Sequence, residues 1–338
     1  MMEILSAKVL KYHVLAAFFS LCALCACSQE ENEAETGRVM VVKNYEGHVF
    51  VDFFGDEQNL QIGLYPCGVN RLFGIAEVSY FASRASHHRG EPSNRFLSCT
   101  DWIGPYYVCD FVNRQAGLPQ RFTGGWHGAN GDGTGTPTAA TERVSIQVDG
   151  QVLTGNFERG CHHADLTVIN LIRGYDDELS KKYLLKESVH YQLKPDREIA
   201  VQVTVEALDD VIIQRYYGLQ SQNFAIFDTV KYCSDKLVTN AAGTDMYSGS
   251  SLKKGINTIV LTDGPKQHEL RLVLCRTEGL GTLEYVADGL PAAFSASYHK
   301  SYFNLVNGRE LWLKQGEKAY WKGAYIWDAP EDSGMHLP

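Results

Sequence analysis

Apolar and polar positions alternate through most of this chain, most clearly in "YLLKESVHYQLKPDREIAVQVTVEAL", residues 183–208. Val189, Tyr191 and Leu193 alternate with Ser188, His190 and Gln192. Beyond a Pro-Asp-Arg turn, Ile199, Val201, Val203 and Val205 alternate with Gln202, Thr204 and Glu206. A period of two predicts strands, and the turn between them predicts a hairpin with one buried and one polar face. Setting Leu193 opposite Ile199 places His190 opposite Gln202 and Lys186 opposite Glu206, a register in which both faces agree. "RVMVVKN", "HVFVDFF", "YYVCDFV", "DLTVINLI", "VIIQRYYGLQ", "TIVLTD", "HELRLVLCR", "SYFNLV" and "AYWKGAYIW" read as further strands. "RVSIQVDGQVLTG" reads as a hairpin turning at Asp149-Gly150. Long helical periodicity is missing and no fixed repeat stands out. The pattern predicts an all-β fold, a large antiparallel β-sandwich of supersandwich or jelly-roll type, with residues 38–338 as one domain.

The N-terminus is patterned differently. Lys8 and Lys11 precede an apolar run from Val14 to Ala26, which is short for a bilayer span. Its end, "LCAC" (Leu24 to Cys27), resembles the lipobox of bacterial lipoproteins. That resemblance implies a signal peptide over residues 1–26, cleavage before Cys27 and lipidation of Cys27. The acidic stretch that follows, within residues 27–37, reads as a flexible tether. It is similar to the surface-export signals of Bacteroidota lipoproteins. The address implied is the outer membrane or cell surface, with the membrane reached through a lipid anchor.

Composition narrows the partners. The chain carries 31 Lys and Arg against 40 Asp and Glu, a net charge of −9, and the leader removes Lys8, Lys11 and Glu3. So acidic a chain argues against nucleic acid, whose binding rests on Lys and Arg contacts to phosphate. Beyond Cys22, Cys25 and Cys27, the cysteines are Cys67, Cys99, Cys109, Cys161, Cys233 and Cys275. An even count in an exported chain permits disulfides, with the pairing left open against buried thiols.

The densest candidate chemistry lies in "FTGGWHGANGDGTGTPTAATERV", residues 122–144. A phosphate loop needs a Lys after its last Gly and then a helix. Here threonines stand in place of the Lys and a strand follows, so nucleotide binding is excluded. Asn130 and Asp132 at alternate positions suggest calcium, the one cofactor the loop suggests, although the acidic first ligand and closing Glu of a calcium loop are missing. What remains is a long loop holding Trp126, a platform for a sugar ring, and His127, a general acid or base. Other candidates lie apart in sequence: Asp101 and Tyr106 in "DWIGPYYV", Arg215, Tyr217 and Gln220 in "QRYYGLQSQN", His162 in "ERGCHHADL", Arg89 in "RASHHRG", and His190 on the polar face of the hairpin.

Two short segments resemble known families. "HKSYFNLV", residues 299–306, resembles a His-x-Tyr-Phe-Asn-Leu segment of galactose-mutarotase-like β-sandwiches, with one extra residue between His299 and Tyr302. "YWKGAYIW", residues 320–327, is similar to a Tyr-x-Lys-x-Gly-x-Tyr strand of jelly-roll alginate lyases. Together they imply a glycan-processing β-sandwich acting on a polysaccharide or oligosaccharide. For a lyase working on a uronic acid, His127 is the expected base, Tyr106 or Tyr217 the acid, Arg215 or Arg89 the carboxylate clamp and Trp126 the platform. His162, His190, Asp101 and Gln220 are further substrate-binding candidates. A hydrolase would instead use two carboxylates, with Asp101 and Asp132 the candidates. A non-catalytic glycan-binding lipoprotein would need only the aromatics.

Overall fold

The computed structural model describes residues 40–55, 58–81, 95–175, 182–222, 227–234, 255–263, 268–296 and 298–328. Their strands form three sheets. In the first, β1 (Met40–Tyr45), β2 (His48–Phe53), β3 (Asn59–Cys67), β4 (Leu72–Phe81) and β5 (Arg95–Ser98) run as a meander, and β9 (Phe157–Cys161) pairs with the far edge of β1. The second and largest has the order β14 (Thr229–Cys233), β15 (Thr258–Thr262), β16 (Glu269–Leu274), β20 (Lys318–Trp327), β12 (Glu198–Ala207), β11 (Tyr183–Leu193), β10 (Ala164–Arg173), β7 (Ala139–Val148) and β8 (Gln151–Leu153). The third runs β17 (Tyr285–Val286), β19 (Lys300–Leu313), β13 (Val211–Gln222) and β6 (Tyr106–Asp110), with β18 (Ala293–Ala296) also on β19. β17 and β19 pair in parallel, and the other pairings described are antiparallel.

The hairpin read from alternation is β11–β12, and its register is the expected one: Leu193 faces Ile199, His190 faces Gln202 and Lys186 faces Glu206. Ile199, Val201, Val203 and Val205 all turn inward, each at most 2% exposed. Asp149 and Gly150 join β7 to β8 with φ of 43° and 77°, the doubly positive pair that a two-residue hairpin turn requires. The expected sandwich is thus the fold adopted. Its main core is a connected apolar cluster drawing on all three sheets, from Val51 and Ile62 through Val203 and Trp321 to Val211 and Phe303.

One strand ends earlier than expected. "YYVCDFV" stays extended only to Asp110, and a short helix α1 (Phe111–Ala116) follows. The Asp110 side chain accepts the Asn113 backbone N–H at 2.7 Å, capping the helix start, and Gly117 in the left-handed region (φ 67°) ends it. Val112, on this helix, is left exposed.

Polar groups tie the layers where they meet. Tyr216 of β13 accepts from the Trp321 indole N–H of β20 at 2.6 Å and stacks on Tyr106 of β6. Tyr325 of β20 donates to the Trp102 carbonyl at 2.6 Å. Cys67 and Cys99 form a disulfide, while Cys109, Cys161, Cys233 and Cys275 are buried cysteines outside any disulfide.

Candidate functional site

The loop after α1 is built back onto the sheet. Thr123 exchanges two backbone hydrogen bonds with Tyr106, at 2.9 and 3.0 Å, so the loop lengthens the edge of β6. It then turns at Gly124 and Gly125, both at positive φ, and the His127 N–H closes the turn on the Gly124 carbonyl at 3.1 Å. A side chain at Gly125 would run into the Asp101 carboxylate, with its Cβ only 2.3 Å from Oδ1. Asn70 pins the loop from beneath. Its Nδ2 donates to the carbonyls of Gly125 and His127, at 2.9 and 2.8 Å, and its Oδ1 accepts from the N–H of Thr138 and of Ala139.

These restraints bring Asp101 and His127 together. The Asp101 carboxylate, with a side chain only 1% exposed, accepts from His127 Nε2 at 3.1 Å and from Lys300 Nζ at 2.8 Å through Oδ2. Its Oδ1 accepts the Trp126 backbone N–H. Burial by itself would push this carboxyl up, but the charge of Lys300 and the bond and charge of His127 outweigh it and hold Asp101 well below the usual carboxylate range. His127 Nδ1 faces the Gly131 carbonyl at 2.8 Å. Both ring nitrogens therefore meet acceptors, the Asp101 carboxylate at Nε2 and the Gly131 carbonyl at Nδ1.

Trp126 stands beside this cluster, 39% exposed, with its indole gripped between Gly68 and Gly133. A Cβ at Gly68 would come within 2.3 Å of the indole, and one at Gly133 within 2.3 Å of its opposite end, so neither position admits a side chain without moving the ring. The open remainder of the indole is a rigid apolar platform.

The outer face of β13 and β19 supplies the rest. Tyr217 and Tyr302 lie with ring centroids 4.9 Å apart, Phe122 from the loop is 5.5 Å from Tyr217, and Phe294 stacks on Tyr302 at 4.8 Å. Arg215 Nη1 donates to the Tyr217 hydroxyl at 3.1 Å, which leaves the phenolic hydrogen free for another acceptor. Burial pushes the Tyr217 phenol up, and Arg215 offsets only part of that rise. Burial and the neighbouring Tyr298 push Tyr302 up further. Both phenols stay neutral and can donate a hydrogen bond. Together these groups enclose a pocket of about 300 Å³, within the range of small-ligand sites. Asp101, Trp126, His127, Tyr217, Gln220 and Lys300 all line it. The Gln220 side chain is fully buried, and neither its amide oxygen nor its nitrogen has a partner.

The pocket gathers Asp101, Trp126, His127, Asp132, Tyr217 and Gln220 from separate segments. Several other expected residues take different places. Tyr106 cannot serve as the acid: it is fully buried on the inner face of β6 and donates to Glu187 in the core, whereas Tyr107 takes the outer face. Arg215 stands behind Tyr217, packed over the Tyr107 ring at 5.6 Å, rather than on the pocket wall. His162 lies exposed at the β9–β10 turn, its backbone N–H on Asp149, and does not line the pocket. His190 pairs with Asp165 at 2.9 Å on the outer face of the large sheet, also away from the pocket. The calcium assignment meets a geometric obstacle. Asn130 donates to the Thr134 hydroxyl and Asp132 Oδ1 accepts from Thr134, so these side chains brace their own loop. Among the described residues no group of three or more His, Cys, Asp or Glu is arranged to hold a metal ion. Arg89 and Cys27 lie outside the described residues. Lys300, Tyr302 and Asn70 were not anticipated. The signal for the first two was available, since alternation along β19 puts Lys300 and Tyr302 on one face.

No protein-family model matches the chain, and no curated protein matches it. Solved structures do show a likeness. A GH36 alpha-galactosidase variant from Geobacillus stearothermophilus, in complex with stachyose, aligns at 9% identity and a TM-score of 0.46, over 82% of this chain and 40% of its own. The chain thus spans about two fifths of that enzyme's length. A galactose 1-epimerase from Lactobacillus acidophilus aligns at 12% identity and a TM-score of 0.33, over 86% of this chain and 98% of its own. A galactose mutarotase related enzyme from the same species aligns at 9% identity and a TM-score of 0.36, over 84% and 98%. At these scores the function must be argued from the pocket itself.

Proposed function

We propose that this chain binds a saccharide in the pocket between Trp126, Tyr217 and Lys300, and acts on a uronic-acid-containing glycan by β-elimination. The observation that carries the reading is the pairing of a clamped, half-open indole with tyrosine rings and polar side chains lining one pocket. Sugar rings ask for this combination, because their apolar faces stack and their hydroxyls need directed partners. Elimination requires a cation near the sugar carboxylate, a base for the proton α to it, and an acid for the departing glycosidic oxygen. Lys300 takes the first role, since it lines the pocket and can donate beyond its bond to Asp101, whereas Arg215 does not line it. Tyr217 takes the last, with its phenolic hydrogen free. His127 remains the base: in its neutral form it donates Nε2–H to Asp101, and displacement of the Gly131 carbonyl frees an unprotonated Nδ1 to take the substrate proton.

A hydrolase is a poorer fit. Both Asp101 oxygens are engaged by the Trp126 N–H, His127 and Lys300, which leaves Asp132 without an unengaged carboxylate partner among the described residues lining the pocket. A second reading, glycan capture without turnover, is favoured by one observation, the engagement of both His127 nitrogens.

The test is incubation with acidic and neutral glycans while following ultraviolet absorbance from unsaturated ends, reducing ends and binding. Growth of absorbance, abolished in Tyr217→Phe with binding retained, is the expected result. Reducing ends without absorbance would replace elimination with hydrolysis. Binding without either product would leave the capture reading.

We place the protein outside the cytoplasm, anchored through Cys27 at the outer membrane or cell surface. The leader and tether motivate that placement, and the Cys67–Cys99 disulfide supports it, because such bonds persist in oxidising compartments. Incorporation of a labelled fatty acid, lost in Cys27→Ser, is the expected outcome. Equal labelling of that variant would remove the anchor from the proposal.

A further inference from the structure

Trp312, near the end of β19, is 52% exposed. A single exposed apolar side chain is ordinary on a protein surface, but this one is braced and accompanied. The ring of Phe111, at the start of α1, packs edge-on against the indole with centroids 4.8 Å apart, which steadies it as a platform. Two residues back on the same strand, Glu310 accepts from Arg114 Nε and Nη2, both at 2.9 Å, and from Gln214 Nε2 at 3.1 Å. All three bonds fall on Oε1, which leaves the second carboxylate oxygen for an outside donor.

The face is also the one that carries the pocket. Phe303, Leu305, Leu311 and Leu313 turn into the main core, so Tyr302 and Trp312 stand on the opposite side of β19. Rings continue between them. Phe122, beside Tyr217 in the pocket wall, has its centroid 4.1 Å from that of Tyr107 on β6. Further along the same segment comes Phe111, against Trp312. At the rise of an extended strand, Tyr302 and Trp312 lie about 30 Å apart.

We infer that Trp312 is a second sugar platform, which takes a distal ring of the same glycan chain whose nearer rings lie in the Trp126 pocket. The substrate class is then a polymer rather than a short oligosaccharide. The inference deepens the saccharide reading and rests on it. The chemistry at Trp312 is that of a sugar contact: the indole meets the apolar face of a ring, and Glu310 and Arg114 meet its hydroxyls. Arg114 balances the Glu310 charge, so the subsite does not repel an acidic chain. Two contacts on one chain make the second an intramolecular event, so affinity gains only once the chain spans both.

Calorimetric titration of the full chain with alginate, polygalacturonate and hyaluronan oligosaccharides of increasing length tests the inference. Affinity should step up by roughly tenfold or more once an oligomer is long enough to span the two platforms. In Trp312→Ala the step should disappear, while di- and trisaccharides bind as they do to the parent. Trp312→Tyr, which keeps an aromatic ring, should restore most of it, and melting temperatures check that both variants are folded. A parent without the step, or a step that survives in Trp312→Ala, overturns the second platform and leaves the pocket reading standing. So does an equal loss of short and long oligomers in Trp312→Ala, because the substitution would then act through the fold. If sedimentation shows a dimer that Trp312→Ala dissolves while the step remains, the face belongs to a second copy of the chain and the platform is overturned. Failure of every oligomer, short and long, to bind the parent overturns the saccharide reading and the platform together.

Discussion

Asp101 Oδ2 and Lys300 Nζ lie 2.8 Å apart, although 199 residues separate them in the chain. The carboxylate side chain is 1% exposed and the amine 14%, so each depends on the other for charge balance. Removing one partner of a buried pair strands the other charge. Lys300→Met should therefore destabilise the protein by about 3 kcal/mol in chemical denaturation at neutral pH. The double variant Asp101→Asn with Lys300→Met should recover a good part of that loss. A single variant as stable as the parent would show that the pair does not anchor the loop.

The same pair sets a pH dependence. Asp101 is held below its unfolded value, so its contribution to stability is present above about pH 4 and is lost as pH falls towards the lowered folded value. Denaturant titrations at descending pH should show the gap between the parent and Asp101→Asn closing below about pH 4. A gap of constant size across that range would contradict the assignment.

Some of this arrangement was legible in the sequence. The β11–β12 register followed from alternation because a one-residue slip would turn Ile199, Val201 and Val203 to water. Trp126 and His127 could be singled out because a long glycine-rich loop has little other reason to hold them. Alternation could not say which face of β6 meets the core, so the buried Tyr106 was indistinguishable from the outward Tyr107. Nor could it show that Asp101, His127 and Lys300 converge, because sheet pairings across the whole chain bring them together. His190 was visible as a polar-face residue, but its Asp165 partner comes from the neighbouring strand β10.

Glu187 predicts the opposite pH behaviour in the core. Burial pushes its carboxyl up, and the hydrogen bonds from Tyr106 and Asn170 offset only part of that rise. A carboxyl raised on folding binds its proton better in the native state, so stability falls as pH rises from about 4.3 through the folded value. Glu187→Gln, which cannot ionise, should lose this slope. Its stability relative to the parent should improve steadily between acidic and neutral pH. Parallel stability curves for the two proteins would show that Glu187 keeps its unfolded affinity for protons.

Gly133 tests the indole clamp without touching a charged group. A Cβ there would lie 2.3 Å from Trp126 Cη2 and 2.4 Å from Cζ3, so Gly133→Ala must displace the ring. Overpacking of this kind costs about 1–3 kcal/mol, modest for a domain of this size. Its effect on the platform should be larger, with saccharide affinity falling by roughly tenfold and the Trp126 fluorescence maximum shifting. Unchanged affinity in a folded Gly133→Ala would remove Trp126 from the binding surface.

The Cys67–Cys99 bond joins the two segments that hold Trp126 and His127 from either side. Gly68, next to Cys67, packs against the indole, and Asn70 two residues on holds the loop carbonyls. Asp101, two residues beyond Cys99, receives the Trp126 N–H and the imidazole. Opening the bond releases these supports relative to each other while leaving the apolar core intact. Replacing both cysteines by serine should lower stability by about 2–4 kcal/mol, through the loop constraint lost from the unfolded chain. It should also weaken saccharide binding more than an equally destabilising substitution in the core, such as Val203→Ala. The comparison separates positioning from general stability: matched losses of affinity in the two variants would make the disulfide a staple of the fold alone, and a selective loss in the cysteine variant would make it part of the site.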